Sequence, residues 1–165
     1  MKNLLIVTLS VCLIIGFYAC NSCKKKKTDF SPKVDKKEIK KIKKHLDVHI
    51  LRYEQALFKL DQDNMGSELE KLKNEYAFFL GDNPATPQNI SQLKGYINNN
   101  VHQHLFKEVN KQYSGLSKME EEFESAFSII KYHFPEAQFP KIYTAILGLY
   151  YERPIIYEDT VLVIA

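Results

Sequence analysis

The chain has 165 residues, three cysteines and a formal net charge of +3 from 23 basic and 20 acidic side chains. Three cysteines provide no disulfide framework, and the positive excess is confined to one end, so it carries no general implication of nucleic-acid binding. Roughly 120 residues follow the basic end, enough for one hydrophobic core and too few for two domains.

Met1-Lys2 and the apolar run Leu4–Ala19 open the chain, followed by Cys20, Asn21, Ser22, Cys23 and the lysines Lys24–Lys27. The run is sixteen residues long, short of the roughly 20 that span a bilayer as a helix. It fits a cleaved signal segment over residues 1–19. Ala19 supplies the small residue before the cleavage point, although Phe17 and Tyr18 are bulky for a lipobox, and an uncleaved N-terminal anchor is the alternative. Cys20 is the expected lipidation site: its thiol takes a diacylglycerol, and cleavage frees its amine for a further acyl chain. Two or more chains anchor a protein stably where one binds only marginally. Cys20 and Cys23 form a Cys-x-x-Cys pair, but it precedes a lysine tract instead of opening a helix in a packed domain, and it is not read as a redox motif.

Residues 20–45 are expected to form a lysine-rich tether. Eleven lysines face only Asp29, Asp35 and Glu38 between Cys20 and Lys44, whereas residues 45–165 carry eleven basic and seventeen acidic side chains. Lysines near an acylated cysteine attract anionic headgroups; a solvated extended spacer is the plainer alternative. Nucleic acid is not an expected partner, because no aromatic residue is interleaved from Lys33 to Lys44.

Residues 46–165 are expected to form one α+β domain with three main helices and a few strands. Val48–Tyr53 begins as a strand and passes into a short helix over Gln55–Leu60. Ser67 and Glu70 have capping-box spacing, ahead of a helix with Leu69, Leu72, Tyr76, Phe79 and Leu80 on one face and a stop at Gly81–Pro84. Thr86-Pro87 starts a second helix, with Ile90, Leu93, Ile97, Val101, Leu105 and Val109 as its buried stripe. Ser117 and Glu120 form a second capping-box pair, opening a third helix with Phe123, Phe127 and Ile130 that Pro135 ends. Its acidic first turn suits the helix dipole.

The stretch Ile142–Tyr150 and the run Val161–Ala165 read as two strands joined through Glu152-Arg153-Pro154. The second has no polar ending and would leave a hydrophobic edge, so the chain is expected to be an N-terminal fragment with an incomplete sheet.

His102, His104 and Glu108 are the nearest approach to a metal site. His104 and Glu108 share a helix face while His102 points away from it, and the His-Glu-x-x-His spacing is absent, so solvated polar residues are the preferred reading. His45, His49 and His133 are scattered, and no phosphate loop or nucleophile elbow is present. No catalytic residue, metal or cofactor is expected, and no small-molecule substrate follows from the sequence.

Arg52-Tyr53-Glu54-Gln55-Ala56-Leu57-Phe58-Lys59-Leu60-Asp61, Leu72–Phe79, Tyr132-His133-Phe134-Pro135-Glu136 and Pro140-Lys141-Ile142-Tyr143-Thr144, in this order and followed by Gly148 and Thr160–Ala165, resemble segments of the GldB family of gliding motility lipoproteins of Bacteroidetes. The resemblance covers about residues 46–165. It implies a non-catalytic cell-envelope component of a motility machine coupled to protein secretion, with other envelope motility or secretion proteins and the membrane itself as partners. It also implies members about twice this length, and a fold similar to zinc-dependent peptidases without a dependable zinc motif. Lys24–Lys27 stand where surface-exposed lipoproteins of these bacteria often carry acidic residues, which points to the periplasmic face of the outer membrane. Two alternatives stay open: an exported zinc metallopeptidase-like lipoprotein with its catalytic residues downstream, and a helical-repeat scaffold suggested by Glu122–Glu136, although one helix is not a repeat array.

Overall fold

A computed structural model of the chain describes residues 35–147 and 154–165. The leader, Cys20, the Lys24–Lys27 tract, Gly148 and the Glu152-Arg153 part of the expected strand connection lie outside the described residues. Those that are described belong to one compact unit, Asp35–Ala165. The fold is α+β, as expected, with seven helices and four strands among the described residues.

Helix α1, Lys36–Lys43, lies within the stretch expected as tether. Asp35 caps it by accepting the Lys37 backbone N–H at 2.9 Å. Strand β1, Ile50–Arg52, turns directly into α2, Tyr53–Phe58, so the expected strand is shorter and the expected helix earlier.

Leu69, Tyr76 and Leu80 of the expected face are buried and Leu72 and Phe79 partly so, but two helices replace the expected one: α3, Met65–Leu72, and α4, Ala77–Leu80. The break lets the Tyr76 ring turn in between Tyr53 and Tyr143, at centroid distances of 5.6 and 6.0 Å. The Ser67–Glu70 capping box does not form. Helix α3 starts three residues earlier, with Asn64 in the N-cap place, and Ser67 donates its hydroxyl to the Asn64 carbonyl. Asp61 organises the entry instead, accepting the Asp63 N–H at 3.0 Å and the Asn64 amide at 2.7 Å. Gly81 ends α4 with φ 62° and ψ −163°, a conformation open essentially to glycine alone.

Thr86 caps α5, Pro87–Ile97, with Pro87 in its first turn, as the sequence indicates. The long second helix nevertheless divides, because the Asn99 side chain accepts the N–H groups of Val101 and His102 and starts α6, Asn100–Gln112. The stripe loses its phase there. Val101, expected inside, is 53% exposed.

The third helix, α7, spans Ser117–His133 and stops before Pro135 as expected. Its capping box is also absent. Ser117 lies inside the helix, and Glu120 reaches across to accept the Ile50 N–H at 3.0 Å, which satisfies an amide of β1. Helix α1 packs on α7, where Lys43 donates to Ser125 Oγ at 2.8 Å and the Asp35 N–H approaches the Tyr132 hydroxyl.

Strands β2, Lys141–Thr144, β3, Ile155–Glu158, and β4, Val161–Ile164, complete a four-stranded sheet in the order β1-β2-β4-β3. Strands β1, β2 and β4 run parallel, and β3 pairs antiparallel with β4. The expected strand pair is corrected in two respects. The run Val161–Ile164 is central and paired on both sides, so the exposed edge expected at β4 is absent, and its hairpin partner is β3, which was not expected as a strand. A two-residue turn can join antiparallel neighbours, whereas the parallel pairing of β2 with β4 needs a crossover.

Strand alternation gives the sheet two apolar faces. Ile50, Ile142 and Leu162, in register, meet Phe123 and Phe127 of α7 and Phe139. Leu51, Tyr143 and Val163 meet Leu57, Met65, Leu69, Tyr76 and Leu80 from α2 to α4. The sheet therefore lies between two helical layers.

Candidate functional site

The parallel strands end together. Arg52 closes β1, Thr144 closes β2 and Ile164 closes β4, and the register places Thr144 beside both Arg52 and Ile164. Ligands of open parallel sheets gather at such carboxyl ends. A cavity of about 250 Å³ opens there, with Leu105, Val109, Leu116 and Met119 as one wall and Ile146, Leu147 and Ile164 as another. Pockets for drug-sized molecules start at roughly 300 Å³, so this one is sized for a side chain or a similarly small group.

The polar floor of the cavity is a fixed network. Glu54, in the first turn of α2 and 2% exposed, accepts from Arg52 Nε at 2.7 Å and from the Thr144 hydroxyl at 2.8 Å. Arg52 also donates from a terminal guanidinium nitrogen to the Tyr113 carbonyl at 2.7 Å, tying β1 to the end of α6. Arg52 is the last residue of β1 and Glu54 lies in the first turn of α2, so the two side chains meet at the junction of strand and helix. Both Glu54 oxygens are occupied, and every fully buried side-chain nitrogen or oxygen among the described residues has a hydrogen-bond partner. The cluster is built to hold the strand ends and offers no unpaired reacting group.

Tyrosines surround this carboxylate. Burial, with the Glu54 charge second, pushes the Tyr96 phenol up to about 12, and its hydroxyl donates to the Ile146 carbonyl at the cavity margin. Tyr76 is also pushed up to about 12, by burial first and then by Glu75 and Glu54. Tyr53, stacked on Phe79 at 4.1 Å, is raised to about 12 by burial and then by Tyr96.

The three residues weighed as a metal group are dispersed. His102 lies against the Tyr96 ring, its Nδ1 3.0 Å from the Tyr96 carbonyl; His104 is exposed, and Glu108 faces Lys111 at 3.9 Å. No three His, Cys, Asp or Glu side chains converge on a metal position among the described residues. His49 pairs with Asp47 at 3.0 Å on the surface. Cys20, the expected lipidation site, lies outside the described residues. The sequence alone does not mark Arg52, Glu54 and Thr144 as a site. The one local sign is a charge pair flanking a strand-to-helix change, and nothing local links it to a threonine ninety residues on.

No protein of curated function and no solved structure matches the chain. The family model of gliding motility protein GldB matches residues 33–165, a span that includes α1, the whole sheet and the Arg52–Glu54–Thr144 network, and the chain therefore belongs to this family of gliding motility lipoproteins.

Proposed function

We propose that the protein is a non-catalytic, lipid-anchored component of the gliding motility machinery, held through acylated Cys20 on the periplasmic face of the outer membrane and working beside envelope secretion proteins. The match to the GldB family over residues 33–165 carries the reading. Two features support its finer parts. Ala19 and Cys20 follow an apolar leader of lipoprotein length. At the strand ends Glu54 is committed through both oxygens to Arg52 and Thr144, which suits a structural lock better than a general base.

Deleting the gene in a gliding host is expected to abolish colony spreading on agar and leave planktonic growth intact; normal spreading refutes the motility role. Cys20→Ala is expected to reproduce the deletion, and mass spectrometry of the wild-type N-terminus is expected to show an acylated cysteine. An unmodified, full-length N-terminus removes the anchor.

A further inference from the structure

We infer that the outer face of α1 is a docking surface for anionic phospholipid, which sets the domain on the membrane in one orientation. Helix α1 is two-sided. Ile39, Ile42 and Lys43 turn toward the domain, and Lys43 donates to Ser125 Oγ at 2.8 Å and to the Glu121 carbonyl at 3.2 Å. Lys36, Lys37, Lys40, Lys41 and Lys44 are exposed, and none makes an ion pair among the described residues.

Lys36 and Lys40, Lys37 and Lys41, and Lys40 and Lys44 are each four residues apart, the spacing at which like charges on a helix repel. The acidic residues near this helix lie on its inner side or at its start: Asp35 caps it, and the facing α7 carries Glu121, whose carbonyl accepts from Lys43, and Glu124, 3.8 Å from Lys43, while Glu38 is the one acidic residue on α1 itself. A surface of negative charge would relieve the repulsion.

Charge and context select a bilayer. Residues 45–165 carry six more acidic than basic side chains, so an anionic membrane attracts α1 and repels the remainder of the domain. Lysine is a point charge on a flexible stem, suited to mobile headgroup phosphates, whereas arginine suits fixed bidentate partners. No aromatic residue on α1 offers a stacking platform for single-stranded nucleic acid. Lys24–Lys27 precede the helix and extend the basic stretch in sequence. The inference rests on the proposed envelope location, but it does not need Cys20 to be acylated.

The test uses the full chain inserted into vesicles of phosphatidylcholine alone or mixed with phosphatidylglycerol. Lysines are acetylated with an amine-reactive reagent, and the rate at each is read by mass spectrometry. The five outer α1 lysines are expected to label several-fold more slowly on the mixed vesicles and to recover in high salt, while Lys111 and Lys118 label equally on both. Equal rates for the α1 lysines on the two vesicles overturn the inference, and so does slowing on both alike, which indicates a contact without charge selection. The slowing persists when Lys24–Lys27 are replaced by glutamine; its loss assigns the effect to the tract and removes α1 as the docking face. Cys20→Ala retains the slowing, so a failure of acylation, read from the N-terminal mass, stays distinct from a failure of docking.

Discussion

Glu54 and Thr144 are ninety residues apart in the chain and 2.8 Å apart in the fold, and the same carboxylate holds Arg52 at 2.7 Å. The sheet's parallel ends are thus locked by a buried charge whose two oxygens serve two strands. Removing one member of a buried ion pair strands the other and costs about 3–5 kcal/mol. Glu54→Ala is expected to destabilise the protein by that amount in urea denaturation. Thr144→Val leaves the ion pair intact and is expected to cost about 1–2 kcal/mol. Equal effects of the two would mean that the guanidinium is not the main partner.

The helix starts make a second comparison. Thr86 and Asn99 cap α5 and α6 with their side chains, whereas Ser67 and Ser117 cap nothing. Thr86→Ala and Asn99→Ala each lower stability by about 0.5–2 kcal/mol. Ser67→Ala and Ser117→Ala stay within about 0.5 kcal/mol of the wild type. Glu120→Ala falls with the costly group, losing about 1–3 kcal/mol, because it leaves the amide of buried Ile50 without an acceptor. Thermal unfolding of the five variants ranks them.

Gly81 tests backbone conformation apart from packing. A Cβ there would meet nothing within 4 Å, yet its φ of 62° with ψ −163° lies where other residues are strained. Gly81→Ala is expected to cost about 1–3 kcal/mol despite the open space. An unchanged midpoint would show that the helix end can relax to another conformation.

Alkaline titration reads the buried phenols. Tyr53, Tyr76 and Tyr96 are raised to about 12 in the folded protein from an ordinary value of 10. Between these values the unfolded chain gives up phenolic protons that the native state retains, so their stabilising contribution is complete below pH 10 and lost as pH rises toward 12. Tyrosinate absorbance is expected to show a late native phase that disappears in denaturant. Tyr96→Phe removes part of it, and coincident native and denatured curves would refute the burial of these rings.

Much of the local structure was legible because it depends on neighbours in sequence. Thr86-Pro87 set a helix start, Pro135 set a helix end, and Gly81 set a stop, since φ restrictions and missing amides act on adjacent residues. Apolar spacing identified Leu69, Tyr76, Leu80 and Phe127 as core. Other local patterns had competing partners. Glu120 has capping-box spacing from Ser117 yet serves a strand seventy residues earlier. Asn99 interrupts an unbroken apolar stripe because its side chain satisfies two helix amides, and a buried-stripe reading gives that no weight.

Sequence by itself determined the basic-to-acidic division of the chain, the α+β class and the family resemblance that the match over residues 33–165 bears out. These follow from composition, order and short-range chemistry. Tertiary structure alone decided that β4 lies between β2 and β3, that a lysine-rich helix is fixed against α7, and that Arg52, Glu54 and Thr144 share one site. Parallel pairing and cross-chain hydrogen bonds join residues that lie far apart along the chain, so no local pattern specifies them, and they are settled only when both faces of the sheet are covered together.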